Sequence, residues 1–213
     1  MIAKEILQIA MEQSAEDMGC SPEDFLKSQN VIVPFRLGEK ARKYLKEPII
    51  ANFVSYGNNV VAAVAEDVRE VVTEYIGRFE FYPLFETPNL HWLSDRLAGM
   101  GYKICFMAEY YLPDAGILRP VTCEYELRML KQQDLKTLYL PEWGNALCED
   151  RKQLDVFGVG AYEGEKLIGL AGCSADCERM WQIGVDVLPE YRRREIASAL
   201  TYRLAQEIQK RGK

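Results

Sequence analysis

The chain has 213 residues, of which 48% are hydrophobic and 27% charged, and its net charge is -6. That composition supports a packed core and excludes a disordered polyelectrolyte. The acidic balance also argues against nucleic acid as a main partner, because affinity for a phosphate backbone comes from clustered Lys and Arg, so any anion site has to be local.

The opening MIAKEILQIAMEQSAEDMG sets Lys4, Glu5, Glu12 and Glu16 among apolar residues at helical spacing. This predicts a helix over Ile2–Met18 and neither a signal peptide nor a membrane span. No other stretch is long and apolar enough for a bilayer, so no membrane partner is expected. Ser21, Pro22 and Asp24 read as the capped start of a short second helix. Val31–Phe35, Ile49–Tyr56 and Val60–Ala65 read as strands, the last two joined by a Gly57-Asn58-Asn59 turn. Val68, Val71, Val72 and Tyr75 predict a helix over Asp67–Tyr75, and Thr87-Pro88 opens another through Leu90, Leu93 and Leu97 that stops at Gly99–Gly101. A strand is expected over Tyr102–Leu112, then a linker at Pro113, Asp114 and Gly116 with Pro120 close behind.

Beyond the linker, the pattern predicts a strand over Cys123–Met129 and a helix over Gln132–Ala146. Three strands follow, Val156–Tyr162, Lys166–Gly172 and Met180–Val187, with turns at Gly164 and at Ser174-Ala175-Asp176. Ile196, Leu200, Leu204 and Ile208 recur every four residues and define one apolar face of a last helix. The expected organisation is a mixed α/β domain over 1–115 and a second domain over 120–213. For the first, a divergent copy of the second is one reading; closing over a substrate, a homodimer contact or an extended core are others.

The six cysteines, Cys20, Cys105, Cys123, Cys148, Cys173 and Cys177, are scattered and read as reduced thiols, which points to the cytoplasm. With His91 the only histidine and no Cys-x-x-Cys, a zinc site or a His-activated nucleophile has almost no material, and no metal is expected. Cys173 and Cys177 read as small buried hydrophobes, Trp181 as core, and His91 as structural.

The informative stretch is VDVLPEYRRREIA, residues 185–197. A strand, a tight turn, a basic cluster and a helix N-terminus together suit a pyrophosphate, since the first N–H groups of a helix lack intrahelical partners and carry the positive end of its dipole. These residues resemble the GNAT superfamily of N-acetyltransferases, which carries Arg/Gln-x-x-Gly-x-Gly/Ala here after a strand and a Pro-x-Tyr-Arg element. Arg192 matches the first position and Ala197 the last. The following helix and the hairpin Ala161–Gly169 agree with the family as well, so the resemblance covers about Thr122–Lys213.

The resemblance implies a mixed, mainly antiparallel sheet flanked by helices. It implies that the backbone of Val185, Asp186 and Val187 pairs with the pantetheine amides, while Arg192, Arg193, Arg194, Glu195, Ile196 and Ala197 wrap the pyrophosphate of acetyl-CoA. A small-molecule or peptide amine would then attack the thioester directly. The family motif has glycine where this chain has Glu195. A carboxylate ~5 Å from a phosphate charge costs about 3 kcal/mol at an effective dielectric of about 20. Alternatively, Glu195 turns outward and pairs with Arg192, Arg193 or Arg194. The family's further strand and tyrosine-bearing helix are not in the sequence after Lys213, which reads as a shortened domain or one completed by other parts. Glu178 and Asp176, in and beside a turn, are candidate bases or amine anchors, with solvated turn acids as the alternative. Asp186 in an apolar strand has to be paired or functional, unless it lies on a polar sheet face with Gln182 and Gly184. Two functions remain open: an acetyl-CoA-dependent N-acyltransferase, and a non-catalytic GNAT-like module that senses acyl-CoA or binds a partner. The acceptor, acyl length, proton carriers and oligomeric state are not legible.

Overall fold

The chain divides between Pro113 and Asp114 into two units, each with its own sheet and core. The computed structural model describes residues 4–45, 49–114, 116 and 118–213. Among these, no helix is long and apolar enough to cross a membrane, and no group of three or more His, Cys, Asp or Glu is placed to hold a metal ion.

In the first unit, α1 (Lys4–Met18) is followed by a 3-10 turn over Pro22–Leu26, whose start is tied by the Ser21 N–H donating to Asp24 Oδ2 at 3.0 Å. Strands β1 (Val31–Pro34), β2 (Ala51–Val54) and β3 (Val61–Val64) form a sheet in the order β1-β3-β2, with β1 parallel and β2 antiparallel to β3. The central strand reads Val-Ala-Ala-Val and is buried on both faces, as a strand covered on two sides must be. Val61 and Ala63 pack with Met11, Ala15, Met18 and Phe25. Ala62 and Val64 pack with residues of α2 (Arg69–Arg78) and α3 (Thr87–Ala98), Tyr75 and Leu93 among them.

The strand expected over Tyr102–Leu112 does not form. Residues 103–111 are all exposed and pair with no strand among the described residues. β propensity alone does not make a strand without a ladder to satisfy its backbone.

A buried polar cluster ties the chain to α1 in this unit. Asp17 is 3% exposed and accepts from Gln13 Nε2 at 3.1 Å and from Arg42 N at 2.7 Å, while its other oxygen pairs with the Arg42 guanidinium. The chain around residues 40–42 is thereby fastened to α1.

The second unit begins with β4 (Glu126–Lys131) and the single turn α4 (Gln132–Leu135). Strands β5 (Asp155–Glu163), β6 (Lys166–Ser174) and β7 (Gln182–Val187) follow, and α5 (Ile196–Gln209) comes last. The sheet order is β4-β5-β6-β7 and every pairing is antiparallel, whereas the first unit contains a parallel pair. On one face, Ile196, Leu200, Leu204 and Ile208 of α5 bury against Val159, Ala161, Ala171 and Cys173. Each such aliphatic side chain contributes about 1.5–3 kcal/mol by leaving water.

The helix expected over Gln132–Ala146 stops after one turn. Pro141 has no N–H to continue it and Gly144 weakens it further, so the chain wraps over the sheet as irregular structure with a 3-10 turn at Pro141–Trp143. Its apolar residues still reach a core: Leu135, Trp143, Ala146 and Leu147 bury against Leu130 and Leu170.

Asp176, read as a candidate base or amine anchor with a solvated turn acid as the alternative, is 2% exposed and so is no solvated acid. Its Oδ1 accepts from Ser174 Oγ at 2.7 Å and from Arg151 Nη1 at 3.4 Å. Nearby, Asp155 is also 2% exposed; its Oδ2 accepts from Tyr139 Oη at 3.0 Å and from the Cys148 N–H at 3.4 Å. Burial lifts the Asp155 carboxyl above the usual carboxylate range, against the opposing pull of Tyr139 and Arg151.

Two outcomes follow from these clusters. Arg42→Ala leaves Asp17 buried without its cation and is expected to cost about 3 kcal/mol, read as loss of amide-exchange protection in α1 under rising urea. Asp155→Asn keeps an acceptor for both hydrogen bonds. Because the folded pKa of Asp155 lies above the unfolded one, the native state holds the proton more tightly. Wild-type stability therefore falls as pH rises from the unfolded value toward the folded one. The variant should match wild type below the unfolded carboxylate value of about 3.9 and exceed it at pH 7, in urea titrations of the second unit at pH 3 and 7.

Candidate functional site

The phase of β7 decides what each of its residues offers. The Leu188 N–H donates to Ile168 O at 3.0 Å, so in an antiparallel ladder the even-numbered residues of β7 bond inward to β6. The N–H and C=O groups of Ile183, Val185 and Val187 consequently point to the outer edge, which no strand covers among the described residues. The Val187 carbonyl is taken by Arg192 Nε at 3.1 Å. The side chains of Ile183, Val185 and Val187 pack on the α5 side of the sheet.

Asp186 lies on the other face, and both of its oxygens are engaged. Oδ2 accepts from the backbone N–H groups of Asn145 and Ala146, each at 2.8 Å, and Oδ1 accepts from Asn145 Nδ2 at 2.6 Å. Gly184 and Gly172, a cross-strand pair on that face, let the same segment lie flat on the sheet. A Cβ on Gly184 would fall 1.8 Å from Asn145 O, and one on Gly172 2.0 Å from Ala146 O. This attachment of the 144–147 segment was not anticipated from the sequence; glycines inside two neighbouring strands are the mark of such a close backbone approach.

After β7 the chain makes a 3-10 turn at Pro189–Tyr191 and reaches α5 through Arg192–Glu195. Arg193 at φ 61° and Glu195 at φ 59° are both left-handed. Among the described residues, no carbonyl or side chain accepts from the backbone N–H groups of residues 193–198, and the first bond of the helix runs from Ala199 N to Glu195 O at 2.9 Å. Left-handed residues alternating with ordinary ones turn successive N–H groups toward one concavity, the arrangement that binds anions, and the helix dipole adds to it.

The side chains of the loop are directed elsewhere. Arg192 reaches Val187 O, and Arg194 Nη1 donates to Tyr125 Oη at 2.6 Å, so neither pairs with Glu195. The pairing of Glu195 with its arginine neighbours is not found among the described residues, and Glu195 is exposed. Tyr191 Oη donates to Glu163 Oε2 at 2.5 Å, which raises the tyrosine pKa. Lys166 Nζ lies 4.9 Å from the Tyr191 ring centroid and 3.3 Å from Glu190 Oε1. These contacts fasten the loop to the β5–β6 turn. An open groove of about 510 Å³ lies beside Arg194. Glu124, Glu126 and Glu163 line it, so it is no phosphate site.

Glu178 is exposed on the connection before β7, while Ile196 is buried in the core and Ala197 exposed in the first turn of α5. Trp181 packs edge-on against Phe157 with ring centroids 6.2 Å apart, and Cys173 is fully buried, which pushes its thiol up to about 12.

A four-stranded antiparallel sheet packed against α5 accords with the mainly antiparallel sheet that the resemblance implies. Residues 123–213 match the model of the acetyltransferase (GNAT) family. No curated protein and no solved structure matches the chain. The match to the GNAT family coincides with the span in which the resemblance was read, and it supports acetyltransferase chemistry in general.

Within the matched residues 123–213, Glu195 stands where the resemblance implies glycine, and the backbone explains why glycine suits the position. A non-glycine residue in the left-handed region costs about 1–2 kcal/mol, from which the greater freedom of glycine in the unfolded chain must be subtracted. Glu195→Gly should stabilise the second unit by about 0.5–1 kcal/mol, a rise of a few degrees in melting temperature, checked by differential scanning calorimetry.

Proposed function

We propose that the GNAT region is an acetyl-CoA-dependent N-acetyltransferase acting on a primary amine, carried by a small molecule or a peptide, with direct attack on the thioester. The observation that carries the reading is the run of unclaimed N–H groups over residues 193–198, set directly after an edge strand with free backbone. The N–H and C=O of Val185 and the N–H of Val187 are suited to pair with the pantetheine amides as a peptide pairs with a sheet edge. The N–H groups of Arg193–Ser198 suit the pyrophosphate, and Arg192, held on Val187 O, brings a positive charge to the mouth of the loop. Bound acetyl-CoA supplies the activated acyl thioester. An outward N–H on β7 is also the kind of donor that steadies a carbonyl oxygen as it gains negative charge. The six free cysteines fit a reducing compartment, the cytoplasm.

A second reading, a GNAT-like module without turnover, is favoured by one observation: the exposed Glu195 carboxylate belongs to a residue of the anion-binding turn itself. Calorimetric titration of acetyl-CoA and desulfo-CoA at fixed salt separates the two. The enzyme reading expects micromolar binding by wild type, and Glu195→Gly should tighten it by more than tenfold at low salt, with the gap narrowing as salt rises. Binding that appears only in Glu195→Gly supports the module. Absence of binding in both removes the site.

A further inference from the structure

Strand β7 carries different loads on its edge and on its two faces. Its edge offers the backbone of Val185 and Val187, one face packs on α5, and the other supports the 144–147 segment. That segment is held on one side by apolar packing, through Trp143, Ala146 and Leu147 against Leu130 and Leu170. On the other it is held by Asp186, which stands between the two edge residues. Gly172 and Gly184 remove any side chain that would keep the segment off the sheet. The Asp186 carboxylate spends three accepted hydrogen bonds on this segment, two of them from successive backbone N–H groups. Charge-assisted bonds of that kind are the strong ones, and a carboxylate so engaged is poorly placed to take a proton from a substrate amine.

We infer that Asp186 is a positioning residue that couples the edge of β7 to the 144–147 segment, so that filling the edge with acyl-CoA stiffens the segment. This rests on the reading of the β7 edge as the cosubstrate strip. The physical route is short. As the outermost strand, β7 is restrained by a ladder on its β6 side alone, and the N–H groups of Asn145 and Ala146 can exchange only when Asp186 and the segment separate. A ligand that completes the second ladder of β7 holds Asp186 in place and makes that separation rarer.

The test is amide hydrogen exchange on the full chain, with and without saturating acetyl-CoA, in wild type, Asp186→Asn and Asp186→Ala, alongside calorimetric affinities. Asp186→Asn keeps an oxygen for the two backbone donors, and the Asn145 amide can turn its own oxygen to the new NH₂. Asp186→Ala keeps neither. Acetyl-CoA should slow exchange at Asn145 and Ala146 at least about fivefold in wild type and Asp186→Asn, and leave it unchanged in Asp186→Ala. Asp186→Asn should bind within about threefold of wild type, and Asp186→Ala about fivefold more weakly, the reciprocal of the coupling. Protection of Val185, Val187 and residues 193–197 with no change at Asn145 and Ala146 in wild type overturns the coupling and leaves the cosubstrate site standing. Absence of binding or of protection on β7 overturns the cosubstrate site and the coupling with it.

Discussion

One hydrogen bond, from the Leu188 N–H to Ile168 O, sets the phase of β7, and the rest of the site depends on that phase. A strand alternates twice over: successive backbone groups point to opposite edges, and successive side chains to opposite faces. With Leu188 bonded inward, Val185 and Val187 present backbone to the open edge and side chains to α5, while Gly184 and Asp186 present side-chain positions to the 144–147 segment. A slip of one residue would bury Asp186 against α5 and place Val185 where only a glycine-sized residue fits. The apolar face, the tether and the free edge are therefore a single specification.

The turn after β7 shows two demands meeting on one residue. To turn successive N–H groups toward one concavity, the backbone has to enter the left-handed region, and Arg193 and Glu195 both do so without being glycine. Tertiary contacts hold them there. Tyr191 is anchored to Glu163, Arg194 to Tyr125, and Ile196, the first residue of α5, is buried in the core. The strain is local, and the surroundings over-determine the conformation. Glu195 thus adds to two separate costs, one conformational and present in the free protein, the other electrostatic and felt only when an anion is bound. Salt screens the second and leaves the first alone.

Much of this was legible in the sequence, for identifiable reasons. The four-residue recurrence from Ile196 to Ile208 has a single physical reading, and Gly164 between two apolar runs marks its hairpin. Pro-Glu-Tyr-Arg between a strand and a helix marks the turn that leads into α5. Less legible was the stretch from Gln132 to Leu147, where Leu135, Leu138, Trp143 and Ala146 imitate helical spacing although Pro141 and Gly144 forbid a continuous helix. The stretch from Tyr102 to Leu112 has the residues of a strand, but strand formation depends on a neighbour that no local pattern announces. The Asp186 tether was hidden for a related reason, since its partners lie 40 and 41 residues away in sequence. An acid flanked by valines signals only that something satisfies it, and does not name the partner.

The acidic balance of the chain is compatible with the proposed anion site because that site is built largely from backbone. Backbone N–H groups carry no net charge, so a turn of them can face a phosphate without a basic surface and without changing the -6 balance of the chain. The arginines at the loop work mainly as braces: Arg192 bonds Val187 O and Arg194 bonds Tyr125. A brace fixes where N–H groups point before any ligand arrives, which lowers the ordering cost of binding. The same logic applies on the opposite face of β7, where one half-buried hydrogen-bonding carboxylate and two glycines fix a segment that has no regular structure of its own. Both sides of the strand are organised by holding backbone in place, which is why a few small or strained positions matter more here than the count of charges.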